Sequence, residues 1–252
     1  SIDERDERLA RLDWSKDERL EVVKAIYKTG VRIPSICFSG HRRYPLGSND
    51  PVLEEKSLEL MKKCIELAQD LGVRTIQLAG YDVYYEEKSP QTRQRFIKNL
   101  RKACDWAEEA QVVLAIEIMD DPFINSIEKY LAVEKDVDSP YLFVYPDIGN
   151  VSAWHNDVYS EFYLGHHAIT ALHLKDTYAV TESSKGQFRD VPFGQGCVKW
   201  EEAFDILKQT NYNGPFLIEM WSENCETVEE TRAAIQEAQA FLYPLIKKAG
   251  LM

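Results

Sequence analysis

Short apolar runs alternate along this chain with longer stretches of helical periodicity. Apolar runs of strand length fall within residues 31–38, 74–79, 112–120, 142–150, 169–176 and 215–221. Helices are predicted between or after them, at residues 17–28, 54–71, 90–110, 200–210 and 228–247, because apolar positions there recur at helical spacing and glycine ends several of them. Regular alternation of strand and helix predicts parallel strands joined by right-handed crossovers.

The architecture that this alternation favours is a (β/α)8 TIM barrel formed by residues 1–252 as a single domain, since such barrels commonly reach this length undivided. A closed barrel needs eight strands, and only six are visible. We therefore expect a strand, a helix and a strand to be missing before Ser1, so that the domain is incomplete at its N-terminus. The alternative is an open, doubly wound sheet of six strands.

The composition of the chain excludes some classes of function. The formal net charge is −12, which argues against binding to nucleic acid, because that requires a cationic face. The five cysteines are scattered without CxxC spacing, and neither a membrane-length apolar run nor a signal peptide is visible. A cytoplasmic protein that does not bind a membrane is predicted.

Four consecutive strand-like runs each deliver one metal-capable side chain at their C-terminal ends: Glu117, Asp147, His173 and Glu219. In a parallel barrel these ends meet at one face, where catalytic residues lie. Three carboxylates packed together need a counter-charge, and oxygen donors with one imidazole suit Mn²⁺, Mg²⁺ or Co²⁺. The longer interval between His173 and Glu219 predicts an inserted loop.

Each of these residues also has an ordinary structural explanation when it is taken alone. Glu117 or Glu219 could be a strand-end carboxylate paired with an arginine. Asp147 could cap the turn that follows it, and His173 could be a hydrogen-bonded core histidine. Four such coincidences at consecutive strand ends favour the metal site.

Several segments, in this order, resemble one known family: SGHRRYPLG (39–47), IQLAGYDVYY (76–85), EIMD (117–120), YPDIGN (145–150), HLKD (173–176), VPFGQG (191–196) and IEMW (218–221). They are similar to the L-ribulose-5-phosphate 3-epimerases, also called L-xylulose-5-phosphate 3-epimerases, of bacterial L-ascorbate utilisation. That family lies in the xylose-isomerase-like TIM-barrel superfamily. The resemblance covers essentially the whole chain.

The resemblance implies an enzyme that inverts C3 of a ketopentose phosphate through a cis-enediolate. One divalent ion (Mn²⁺, Co²⁺, Mg²⁺ or Zn²⁺) would be held by Glu117, Asp147, His173 and Glu219. Glu117 and Glu219 would also be the catalytic acid and base on opposite faces of C3. A homodimer is expected, since such barrels usually pair.

Candidate phosphate-binding side chains are His41, Arg42 and Arg43, which form a cationic loop after a strand, together with Lys175 beside His173. Arg42 and Arg43 could instead be solvated loop charges. Gln77 and Asn150 lie in the segments that carry the resemblance, and Trp154 could wall the sugar. These three complete the predicted substrate-binding set.

Three other functions compete with the epimerase. An aldose–ketose isomerase for hexulose phosphates would use the same metal and enediolate. An endonuclease IV-like nuclease would need more histidine ligands and a cationic face, and five histidines with a charge of −12 argue against it. A barrel that only binds sugar would be expected to lack one of the two glutamates.

Overall fold

A computed structural model describes residues 1–221, 223 and 225–252 of the protein. The chain forms two compact units. The first comprises Ser1–Glu117 and Tyr130–Phe143, and the second comprises Ile118–Lys129 and Val144–Met252. A single domain over residues 1–252 stays a prediction.

The strands of the first unit lie in the sheet order β1–β2–β3–β4. They are β1 (Ile36–Phe38), β2 (Thr75–Ala79), β3 (Val113–Glu117) and the start of β4 (Leu142–Tyr145). β1 pairs in parallel with β2, and β2 pairs in parallel with β3. Most of their apolar side chains are buried, as a strand covered on both faces requires.

Helices surround these strands along the sequence: α1 (Asp6–Leu9), α2 (Lys16–Thr29), α3 (Pro51–Leu71), α4 (Pro90–Ala110) and α5 (Ile127–Val137). α2 and α4 begin with capping boxes at Ser15 and Ser89, and α3 begins with proline after an Asp50 cap. α2 and α3 end at the glycines Gly30 and Gly72, both in the left-handed conformation. The predicted helices therefore exist, with bounds shifted by only a few residues.

The predicted first strand is shorter than the apolar pattern indicated. Only residues 36–38 of the 31–38 run form a strand. Pro34 has no N–H to donate to a neighbouring strand. Val31 is 68% exposed, so the first half of the run is a connection and does not belong to the sheet.

The second unit holds α6 (Ile148–Ala153), α7 (Val158–Gly165), β5 (Leu172–Leu174), β6 (Asp176–Tyr178), β7 (Gln187–Val191), α8 (Trp200–Gln209), β8 (Phe216–Ile218) and α9 (Val228–Ala249). β5 and β8 pair in parallel, as predicted. β6 and β7 form an antiparallel hairpin. This hairpin confirms the loop predicted between His173 and Glu219.

Candidate active site

Asp147 begins α6 and uses its two carboxylate oxygens differently. Oδ1 accepts a hydrogen bond from the backbone N–H of Asn150 at 2.8 Å, so Asp147 does cap the turn. Oδ2 faces the Lys175 ammonium at 3.0 Å. The backbone of Gly149 lies close to that of Lys175, since a Cβ added at Gly149 would lie only 2.6 Å from the Lys175 carbonyl oxygen. The capping role and the site role therefore coexist in one fully buried side chain.

The β5–β8 pairing positions the next two side chains. His173 lies opposite Leu217, and the Glu219 N–H donates to the Leu174 carbonyl at 3.0 Å. His173 Nδ1 lies 3.7 Å from Asp147 Oδ2 and 3.6 Å from Glu219 Oε2. The ligand atoms of Asp147, His173 and Glu219 all lie within 4.8 Å of one another, so the group could hold a metal ion.

Lys175 lies between the two carboxylates of this group. Its Nζ is 3.0 Å from Asp147 Oδ2 and 2.9 Å from Glu219 Oε2. Its side chain is 8% exposed, so the charges interact with little solvent screening. The ammonium group thus supplies positive counter-charge to both carboxylates, a role that the sequence predicts for a metal ion.

The two carboxyl groups have opposite pKa shifts. Burial raises the pKa of Asp147 to about 8, and the Glu219 charge adds to this effect while Lys175 opposes it. Burial also raises the pKa of Glu219, but Lys175 and His173 outweigh it and lower that pKa to about 2. Burial and the repulsion between the two carboxyls favour a proton on the pair, and the raised pKa of the deeper Asp147 makes it the favoured carrier of that proton.

Glu117 is the last residue of β3 in the first unit. It lies opposite Ala79 in the parallel pairing with β2, and it is 7% exposed. β3 therefore ends at Glu117, as the sequence predicts. Its role as metal ligand and proton carrier stays a prediction.

Two polar side chains, Asn150 in α6 and Trp154 directly after it, offer hydrogen-bonding atoms. The Asn150 amide group donates to the Ile118 carbonyl at 2.9 Å, which fixes its orientation. Asn150 Oδ1 and Trp154 Nε1 are buried, and neither has a hydrogen-bond partner among residues 1–221, 223 and 225–252. They present one acceptor and one donor, as the recognition of sugar hydroxyls requires.

Gln77 lies in the middle of β2 and is 1% exposed. Neither polar atom of its amide group has a partner within the described part of the chain. A buried amide without partners is costly, so such a group is a candidate for binding a ligand. Its predicted contact with substrate stays a prediction.

The loop predicted to bind phosphate lies in the first unit, where its three cationic residues have different surroundings. His41 is buried, and the centroid of its ring lies 4.5 Å from that of Phe38. Arg42 stacks over Tyr84 at 4.8 Å, and burial opposes its charge, but the neighbouring tyrosines raise its pKa. Arg43 is exposed and pairs with Asp6 at 2.6 Å. Their predicted phosphate contacts stay predictions.

His41 should make the stability of the protein pH-dependent. Burial lowers the pKa of His41 from 6.5 to about 4. Between these values the unfolded chain binds a proton that the folded chain does not, so acidification favours unfolding. As the pH is lowered from 7 to 4, we expect the contribution of His41 to reduce the free energy of unfolding by about 3 kcal/mol.

Denaturant unfolding as a function of pH measures this effect. His41→Phe should flatten the slope between pH 4 and 6.5. The matched variant His166→Gln, at an exposed histidine, should leave the slope unchanged. An unchanged slope in His41→Phe would show that His41 does not titrate in this range.

The chain is similar to known proteins in both sequence and fold. Residues 2–245 match the family model described as xylose isomerase-like TIM barrel. L-ribulose-5-phosphate 3-epimerase UlaE of Escherichia coli O157:H7 is 50% identical over 252 residues, which are 100% of this chain and 86% of that protein. A second relative, a Haemophilus influenzae protein named as the L-ribulose-5-phosphate 3-epimerase SgbU, is 51% identical over 100% of this chain and 87% of that protein.

The chain belongs to the L-ribulose-5-phosphate 3-epimerase family. Membership confirms the resemblance seen in the sequence and the α/β TIM-barrel fold class. The chain is therefore an enzyme of the sugar epimerase class.

Solved structures agree on the fold of this epimerase. An L-ribulose 3-epimerase has a TM-score of 0.75 at 19% identity, covering 91% of this chain and 80% of that one. A D-psicose 3-epimerase has a TM-score of 0.73 at 17% identity, covering 92% and 86%. No helix in the described part of the chain combines the length and apolarity needed to span a membrane.

Sequence reasoning missed one residue that organises this part of the epimerase, Asp176. Its Oδ2 accepts from the N–H groups of Gly194 and Gly196 at 2.8 and 3.1 Å, and its Oδ1 accepts from Thr177 and Val198. A Cβ at Gly196 would lie 2.0 Å from Asp176 Oδ1. The N–H groups of Gly194 and Gly196 are thus already hydrogen-bonded within the protein. Asp176 stood within the HLKD segment, but nothing in the sequence indicated its partners.

A cavity of about 420 Å³ lies within the second unit. Lys175 and Glu219 line it, together with Trp221. Val191, Phe193 and Phe241 supply apolar wall. An apolar cavity with a few convergent charged groups is typical of a small-molecule site.

Proposed function

We propose that this protein inverts C3 of a ketopentose phosphate, interconverting L-ribulose 5-phosphate and L-xylulose 5-phosphate. The observation that carries the proposal is the buried group of Asp147, His173 and Glu219 around Lys175. Identity of 50% to a protein named L-ribulose-5-phosphate 3-epimerase supports the choice of substrate.

The donor set of this group fits a divalent cation. Two carboxylates and one imidazole offer oxygen and nitrogen ligands within 4.8 Å of one another, a set that suits Mn²⁺, Co²⁺, Mg²⁺ or Zn²⁺. Glu117 would be the fourth ligand. A bound cation would supply Lewis acidity toward the C2 oxygen of the sugar.

Two glutamates would move the proton. Inversion at C3 needs one group to remove the proton from one face and another to return a proton to the opposite face. Glu219 lies at the end of β8, next to the cavity. Glu117 is the last residue of β3, and its position as a buried carboxylate at a strand end supports it as the second proton carrier.

The polar groups without partners would orient the sugar. Asn150 Oδ1 would accept from a hydroxyl, and Trp154 Nε1 would donate to an oxygen. Gln77 would offer both kinds of atom. Holding the hydroxyls fixes C3 against the proton carriers, which is how positioning contributes to rate.

Incubation of purified protein with L-ribulose 5-phosphate and Mn²⁺ tests the proposal. L-xylulose 5-phosphate should form, a chelator should stop the reaction, and added metal should restore it. Formation of an aldose phosphate would support the aldose–ketose isomerase. The homodimer and the cytoplasmic location stay predictions that this assay does not address.

Arg42 provides a test of the predicted phosphate loop. Its guanidinium is half-buried, and its nearest carboxylate lies 3.9 Å away, on Glu4. If it binds phosphate, Arg42→Ala should raise KM for L-ribulose 5-phosphate by about 10- to 100-fold, the size of a charge-assisted contact. KM for unphosphorylated L-ribulose should hardly change. Equal increases for both substrates would mean that Arg42 only shapes the loop.

A further inference from the structure

Lys175 lies where the backbone is held from both sides. It directly follows β5 and directly precedes β6. The Gly149 backbone packs against it, since a Cβ there would lie 2.6 Å from the Lys175 carbonyl oxygen. On its other side, the Asp176 carboxylate accepts hydrogen bonds from the N–H groups of Gly194 and Gly196. Movement of Lys175 is therefore confined to its side chain, a flexible stem of four carbons.

The Lys175 ammonium faces the same two oxygens as the imidazole of His173. Asp147 Oδ2 lies 3.0 Å from Lys175 Nζ and 3.7 Å from His173 Nδ1. Glu219 Oε2 lies 2.9 Å from Lys175 Nζ and 3.6 Å from His173 Nδ1. A divalent ion that uses both oxygens as ligands therefore meets a positive charge already placed against each of them.

Water screens this positive charge very little. The side chain of Lys175 is 8% exposed, and that of Asp147 is fully buried. Charges a few ångströms apart interact several times more strongly in such surroundings than in water. The ammonium also neutralises part of the negative charge that attracts a cation. Both effects should lower the affinity of the site for a divalent ion.

The cavity in the second unit offers the ammonium a second position. Lys175, Glu219 and Trp221 all line this cavity of about 420 Å³. The Lys175 ammonium lies 5.5 Å from the centroid of the Trp221 ring. An aromatic face attracts an ammonium group within about 6 Å. Rotation of the side chain can therefore move the charge away from the oxygens and keep it against an aromatic ring.

We propose that Lys175 competes with the divalent ion for Asp147 and Glu219. Its ammonium neutralises the two carboxylates when no ion is bound and moves toward Trp221 when an ion binds. The inference rests on the proposed function for the presence of a metal ion and goes beyond it in assigning a residue that limits metal affinity. The consequence is an ion that exchanges readily with its surroundings, in a site that keeps a counter-charge after the ion leaves.

Titration of the purified protein with Mn²⁺, followed by the EPR signal of the free ion, tests the proposal. Lys175→Met keeps the length of the side chain without its charge and should bind Mn²⁺ at least about 10-fold more tightly than wild type. Lys175→Arg keeps the charge and should bind no more tightly. Lys185→Met makes the same change in net charge at an exposed position of the β6–β7 hairpin. Its affinity should stay within about twofold of wild type, because exposed charges are screened.

Thermal unfolding gives a second readout that does not depend on activity. Without added metal, Lys175→Met should unfold at a lower temperature than wild type, because two buried carboxylates lose their counter-charge. Saturating Mn²⁺ should raise the midpoint of Lys175→Met by about 3–5 °C more than that of wild type, as a tenfold gain in affinity requires. If Lys175→Met folds only with the ion, loss of Mn²⁺ to excess chelator should be about 10-fold slower than from wild type.

The outcomes also separate this inference from the proposed function. Mn²⁺ affinity in Lys175→Met that is equal to or weaker than wild type, or Mn²⁺ binding by neither protein, would overturn the inference. Wild-type epimerisation together with unchanged affinity in Lys175→Met would contradict the competition alone. A wild-type protein that epimerises no pentulose phosphate would contradict the proposed function, while tighter binding by Lys175→Met would still support the competition.

Discussion

Glu219→Gln and Glu117→Gln should each lower the rate of epimerisation by at least about 10³-fold, within the range for loss of a positioned acid–base group. Glutamine keeps an oxygen that can contact a cation but cannot take up or return a proton. Because inversion needs a proton carrier on each face of C3, neither variant should complete the reaction.

Exchange in D₂O distinguishes loss of a proton carrier from general damage. Each variant should still exchange the C3 proton of one epimer, L-ribulose 5-phosphate in one case and L-xylulose 5-phosphate in the other. Metal content should be retained. Glu202→Gln, at an exposed glutamate paired with Lys199, is the control and should be fully active. A metal-loaded glutamine variant at position 117 or 219 with near wild-type epimerisation would refute the two-carrier mechanism.

Asp176→Ala should lower the free energy of unfolding by at least about 3 kcal/mol, because several donors around a buried carboxylate lose their acceptor at once. These donors are the N–H groups of Thr177, Gly194, Gly196 and Val198 and the Trp200 indole at 3.4 Å. Asp176 is 1% exposed, so water cannot easily replace the carboxylate.

Two variants calibrate this result in denaturant unfolding. Asp176→Asn should cost nearly as much as alanine, because an amide turns one acceptor oxygen into a donor facing other donors. Asp157→Ala removes an exposed cap of α7 and should cost only about 1 kcal/mol. A loss for Asp176→Ala no larger than for Asp157→Ala would show that the loop does not depend on this carboxylate.

The main strands and helices could be predicted because apolar periodicity is a local signal. β2, β3 and β8 lie within the predicted runs, and α4 has the predicted bounds. β1 shows the limit of such prediction. The apolar run there continued back to Val31, but pairing with β2 and burial determine where a strand begins.

The site residues at strand ends were accessible to prediction for a similar reason. Strand direction determines where Asp147, His173 and Glu219 point, so their convergence follows from parallel pairing. The position of Lys175 between two carboxylates did not follow, because the sequence showed only a cation beside His173.

The contacts of Asp176 and Arg189 could not be predicted from the sequence. Each depends on a pairing between segments well separated along the chain: Asp176 with residues 194–200, and Arg189 with Trp221. Arg189 depends in addition on a bulge whose position is set by the register of β6 and β7. Such register is a property of the folded hairpin.

Proton NMR of wild-type enzyme with L-ribulose 5-phosphate in D₂O tests the central claim most directly. C3 epimerisation predicts that deuterium enters at C3 while L-xylulose 5-phosphate forms, with the C1 protons retained. Deuterium at C1 or C2, accompanied by an aldose phosphate, would contradict the account and identify an aldose–ketose isomerase.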